Sequence, residues 1–182
     1  MSDAAAPERS CGTCTLCCKV LRIVELAKPN GVWCQHARPG QGCAIYSDRP
    51  PSCRAFRCGY LASPELPEAW HPARSKIVLV REPHGGITAV VDPGRPDAWK
   101  EPPYYAQLKS WAEQVVPANR QMIVRIGART IVVLPDREVD LGLMDPGDKV
   151  IVEAQPGPFG VVYNARKAGP QRIIPSAAGP QR

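Results

Sequence analysis

Apolar and polar positions divide the chain into stretches of different texture. From residue 77 the pattern is that of β-structure: Ile77, Val78, Leu79 and Val80, then Ile87, Thr88, Ala89, Val90 and Val91, stand on either side of His84-Gly85-Gly86. Two β-branched runs about a glycine-containing turn predict a hairpin, and Asp92-Pro93-Gly94 stops its second strand. Beyond Pro103, the residues Tyr104, Tyr105, Leu108, Trp111, Ala112, Val115 and Val116 recur at helical spacing. Pro103 suits the first turn of that helix and Pro117 ends it. Residues 122–126, 130–134, 149–152 and 160–163 predict further short strands, with 145–148 as a turn.

The flanks read differently. Up to Tyr60 long apolar runs are rare and Cys, Gly and Pro punctuate the chain, so this stretch has little with which to build a conventional core. After Tyr163 the periodicity is lost, and Ala-Gly-Pro-Gln-Arg occurs twice, at 168–172 and 178–182. The pattern predicts an α+β protein. Its parts are a flexible N-terminus (1–10), a cysteine-rich module (11–60), a small mixed sheet-plus-helix domain (61–163) and a disordered basic tail (164–182). Trp33, Trp70, Trp99 and Trp111 are expected in the core or between the parts.

A length of 182 residues suits one domain or one domain with an appendage. No apolar run approaches the ~20 residues of a membrane span, and the opening residues lack the apolar stretch of a secretory signal, so a cytoplasmic protein without a membrane partner is expected. All eight cysteines lie between Cys11 and Cys58. The formal charge of +6 invites a nucleic-acid reading, but its distribution weakens that. Residues 1–60 hold eight Lys or Arg against four Asp or Glu, residues 61–150 eleven against twelve, and residues 151–182 four against one. Basicity belongs to the cysteine region and the tail.

Cysteines at 11, 14, 17 and 18 open the cluster, and Cys34, Cys43, Cys53 and Cys58 complete it, with His36 two residues after Cys34. Without a signal peptide four disulfides are disfavoured, and the Cα atoms of Cys17 and Cys18, about 3.8 Å apart, are too close for an ordinary bridge between them. Metal ligation fits better. A helix starting near Thr13 or Cys14 would put Cys14, Cys17, Cys18 and Leu21 on one face at i, i+3, i+4 and i+7, with Cys11 just before it. Cys-x2-Cys-x2-Cys matches the start of a ferredoxin-type run, but the fourth Cys and its Pro are missing; the zinc-ribbon spacing fails as well.

The string Cys11-x2-Cys14-x2-Cys17-Cys18, Trp33-Cys34-x-His36, Cys43-x-Ile45-Tyr46-x2-Arg49-Pro50-x2-Cys53-Arg54-x-Phe56-x-Cys58 resembles the YkgJ-like cysteine-cluster family, described as a zinc- or iron-chelating domain. The resemblance spans about a third of the chain. It implies chelation of zinc or iron, or of an iron–sulfur cluster, in one or two centres held by Cys11, Cys14, Cys17, Cys18, Cys34, Cys43, Cys53 and Cys58. It leaves the metal open and supplies no activity; the leading reading is a metal-bound module docked on the α+β domain, with a structural or redox role if every thiol is a ligand. Flagellin lysine N-methylases in that family suggest an iron–sulfur enzyme as an alternative. However, the chain has no Gly-rich cofactor loop between a strand and a helix, and Leu21 stands where a Cys-x3-Cys-x2-Cys run would need its third thiol. A nucleic-acid-binding zinc protein is the third reading.

Adjacent side chains normally point apart, so Cys17 and Cys18 are expected to serve two centres or to bridge one polynuclear centre. Two four-thiolate centres would each contribute −2 and lower the formal charge from +6 to about +2. Lys19, Arg22, Arg38, Arg49, Arg54 and Arg57 are then candidate counter-charges. His36 can ligate or simply hydrogen-bond, whereas His71 and His84 are expected in solvated loops.

Overall fold

A computed structural model describes residues 9–169. Five strands form the central sheet: β3 (Ile77–Arg81), β4 (Ile87–Val91), β5 (Met122–Ile126), β6 (Arg129–Val133) and β7 (Glu138–Leu143), side by side in chain order. All neighbours are antiparallel except β4 and β5. That parallel pair needs a crossover, which the helix α5 (Tyr104–Val115) supplies. The β3–β4 turn is closed by Gly85 N–H donating to the Glu82 carbonyl at 2.9 Å, with Gly85 at φ +81°.

One main core joins the sheet and α5 to parts of the cysteine region, and a small second cluster lies within that region. Leu108 and Ala112 of α5 and Ile77, Ala89, Val91, Met122 and Val124 of the sheet are fully buried. Trp70 and Trp99 are buried too, with Trp70 packed edge-on to Tyr104 at 5.0 Å. Trp33, by contrast, is 44% exposed, so it is no core residue. It lies under the Lys19 ammonium, 5.5 Å from the ring centre.

A second, two-stranded ribbon joins β8 (Lys149–Gly157) to β9 (Gly160–Ala168), with Phe159 wholly exposed at its tip. β9 thus continues five residues past the expected end at 163, so 164–168 are strand and not tail. The backbone ladder runs on to Lys149 opposite Ala168, and the diagonal ion pair between Glu153 and Arg166 bridges the two strands. The repeats expected in a disordered tail lie almost wholly outside the described residues, as do residues 1–8.

The cysteine region has only short elements. They are α1 (Leu16–Val20), the two-residue strands β1 (Ala37–Arg38) and β2 (Gly42–Cys43), α2 (Pro51–Ala55) and α3 (Gly59–Ala62), followed by α4 (Pro72–Ser75). The region is nevertheless not a separate body. Leu16, Val20, Cys58 and Tyr60 belong to the same buried cluster as the sheet. α3 lies so close to β3 that a Cβ at Gly59 would stand 2.7 Å from Cβ of Leu79, so only glycine permits this approach. Lys19 reaches Asp92, at the end of β4, with 2.6 Å between Nζ and Oδ1. Arg9, at the edge of the stretch expected to be flexible, donates to the carbonyls of Tyr60, Ser63, Pro64 and Leu66 at 2.6–3.0 Å and stacks on the Tyr60 ring.

Candidate metal centre

α1 begins at Leu16, not near Thr13 or Cys14, and this changes the expected thiol geometry. Cys11 to Cys14 form a turn instead, with Cys14 N–H donating to the Cys11 carbonyl at 2.9 Å and Gly12 in the left-handed region at φ +51°. Only Cys17 and Cys18 are on the helix. Cys14 therefore does not share its face, and the short helix is held by packing of Leu16 and Val20.

The later cysteines come back to this segment through short, specific contacts. Cys34 N–H donates to the Cys18 carbonyl at 3.0 Å. Ala37 N–H donates to the Cys34 carbonyl, and Ala37 pairs with Cys43 across β1 and β2. The Glu25 carboxylate accepts both N–H and Oγ–H of Ser52, 2.9 and 2.7 Å away, which fixes the first turn of α2 and hence Cys53. Pro51 starts that helix, as proline in a first turn can. Cys58 is the N-terminal cap residue of α3, and its carbonyl accepts Ala62 N–H.

All eight cysteines line one cavity of about 280 Å³, together with His36 and His71. His71 was expected in a solvated turn; it lies at this wall instead, edge-on to Tyr60 at 5.2 Å. His84 is exposed on the β3–β4 turn, away from the thiols. The cavity has two sides. Cys58, with Cys14 and Cys17 against it, belongs to the main core. Cys34, with Cys18 and Cys53 against it, belongs to a small second cluster with Ile23 and Ala37. The vicinal pair is thus split between the two. Cys14, Cys17 and Cys58 each feel the charge of Cys11, which therefore lies on the first side. Cys43 stands where the sides meet, since its partner Ala37 is in the second cluster while Gly42 abuts the Gly12 carbonyl on the first.

The electrostatics follow from this crowding. Burial raises the Cys14, Cys53 and Cys58 thiols above the ordinary range. Cys17 and Cys18 compete for one proton; the contact raises Cys17 and lowers Cys18, which the Lys28 and Arg49 charges also favour as thiolate. As they stand, no three Cys, His, Asp or Glu side chains among the described residues converge closely enough to hold an ion.

Lys28 has no counterpart among the expected counter-charges. It is 6% exposed, and its ammonium donates to the carbonyls of Lys19, Leu21 and Pro29. Burial lowers its pKa, while Cys34, Cys18, Cys17 and Cys53 act in the opposite direction. Of the six expected cations, Arg22 and Arg49 line the cavity. Lys19 is committed to Asp92, and Arg38, Arg54 and Arg57 donate to nearby carbonyls.

No protein-family model, curated protein or solved structure matches this chain. The likeness to the cysteine-cluster family rests on the motif alone.

Proposed function

We propose that this is a metal-binding protein whose cysteine region folds around zinc or an iron–sulfur centre in a structural or redox role. The observation that carries this reading is the convergence of eight thiols from six short segments on one cavity. A packed core does not ask for that, because buried cysteines used as small apolar residues scatter among other side chains. An all-sulfur donor set suits zinc and iron–sulfur centres and disfavours hard cations. The cavity of about 280 Å³ has room for one centre, for two ions or for a polynuclear cluster.

Cys11, Cys14, Cys17 and Cys58 would hold one centre. Cys18, Cys34 and Cys53 would hold the other, completed by Cys43. Closure of the side chains onto the metal is part of binding in this reading, since they do not touch one point beforehand. When bound, zinc would supply folding energy and iron–sulfur would add one-electron chemistry. Lys28, Arg22 and Arg49 would offset the thiolate charge. Elemental analysis and a visible spectrum of anaerobically purified protein test the proposal. Two equivalents of zinc in a colourless protein, or iron with acid-labile sulfide in a brown one, support it. Protein without zinc or iron whose eight thiols all alkylate under native conditions overturns it.

A further inference from the structure

A second and larger cavity, of about 910 Å³, opens on the other side of Arg22, which lines both. Its floor is one face of the sheet: Thr88 on β4 pairs with Ile123 on β5, and Arg125 follows two residues along β5. Arg120, from the loop before β5, and the β3–β4 turn form a wall. Its size falls within the ~300–1,000 Å³ of small-molecule sites.

The arginines of this cleft differ from nearly all others. Ten of the fourteen arginines among the described residues donate to a carbonyl, a hydroxyl or a carboxylate. Arg22, Arg74, Arg120 and Arg125 make no such bond to another described residue, and three of those four line the cleft. The carboxylates there are not equally idle. Glu82 accepts the Thr88 hydroxyl at 2.8 Å, and Asp148 accepts Asp145 N–H at 2.8 Å with Lys167 Nζ 3.5 Å away. Asp145 is exposed on the rim.

Arg120 and Arg125 sit differently in the cleft. Arg120 lies over the bare Cα of Gly85, where a Cβ would come within 2.7 Å of its Cζ. Arg125 is half-buried on the floor. A half-buried guanidinium without an acceptor, as at Arg125, is costly, and an oxyanion presenting two oxygens is the group that satisfies it best, with the exposed Arg120 and Arg22 adding positive charge at the same cleft.

We infer that this cleft binds a small molecule through a phosphate or carboxylate group gripped by Arg120 and Arg125, with Arg22 placing that ligand against the wall of the cysteine cavity. The site is independent of metal identity. Titration calorimetry at low ionic strength, on the protein as purified, with inorganic phosphate, glycerol phosphate and succinate tests it. Saturable binding is expected, weakened about tenfold or more by Arg125→Gln and by Arg120→Gln and unchanged by Arg74→Gln. Binding confined to the two phosphates assigns a phosphoryl ligand, and binding confined to succinate a carboxylate. Arg120 is exposed, so its variant remains a usable test if Arg125→Gln does not fold. Absence of saturable binding by all three probes, or equal weakening by Arg74→Gln, overturns the inference.

Discussion

The sheet and the cysteine region share one core, yet they are built by different means. In the sheet, five strands pair over four to six residues each, and both faces hold buried β-branched side chains. The cysteine region has helices of four or five residues and strands of two, and single turn hydrogen bonds hold it. Such helices are far below the length at which they are stable alone. Residues 77–134 can stand on burial and backbone pairing. Residues 11–58 depend on what they lean against and, in our proposal, on what the thiols hold.

Metal removal should separate the two regions most strongly. Structural zinc contributes apparent energies of ~10–16 kcal/mol in small zinc-dependent domains, so anaerobic chelation should melt residues 11–58. Hydrogen exchange should then rise throughout that stretch while the amides of β4, β5 and β6 stay protected. Unchanged protection of Cys34 and Cys18 after complete metal loss would contradict the proposed dependence. Next comes Leu108→Ala on α5, where a fully buried side chain leaves a void. A loss of about 2–5 kcal/mol is expected in urea unfolding, and it should lower both regions together because they share the main core.

Gly59→Ala should act at the seam between them. The added methyl would meet Leu79 at 2.7 Å, and relief of such overpacking costs about 1–3 kcal/mol. Exchange should rise first in α3 and around Cys58 while the far strands β6 and β7 change little; an equal rise in all strands would show that the seam is no boundary.

The smallest effect belongs to the Lys19–Asp92 pair, which ties α1 to the end of β4. Burial opposes ionisation of Asp92, but the Lys19 ammonium and the Gly94 N–H outweigh it, and the carboxyl lies below its ordinary range. A depressed folded value means the pair stabilises the protein above the unfolded value of ~3.9, and the contribution fades as pH falls through the folded one. Asp92→Asn should therefore flatten the loss of stability between about pH 5 and pH 3 and cost about 1 kcal/mol at pH 7, read from denaturant midpoints.

The contrast also governs what the sequence discloses. The β3–β4 hairpin, α5, β5 and β6 are legible because unbroken or periodic apolar runs must be buried, and only one secondary structure buries each of them. β7 escapes notice: Glu138 and Asp140 alternate with Val139 and Leu141 along an edge strand that is nowhere fully buried. The eight cysteines announce themselves by density. Their division into two sides is set by the return of Cys34 to Cys18 and of Cys58 to the sheet, and local spacing carries no trace of it. Reading a helix through Cys14 fails because Gly12 and the Cys11 turn compete for that segment. Lys28 is invisible for a simpler reason, as one lysine in a polar stretch has no pattern, and only the three carbonyls folded around it reveal its role. The arginine cleft likewise draws on residues from separate stretches, which meet only on the face of the sheet.

The shared core sets an order of events during synthesis. Cys58 shares one buried core with Val124 and Leu134, which are made up to 76 residues later. At roughly 5–20 residues per second, that is about 4–15 s during which the last cysteine has been made and its supporting wall has not. Every thiol is accessible to oxidants and to stray metal in that interval. If the thiols hold metal as proposed, reducing conditions have to come before the metal, and slow translation of residues 59–134 should lower the yield of intact thiols even where the finished protein is stable.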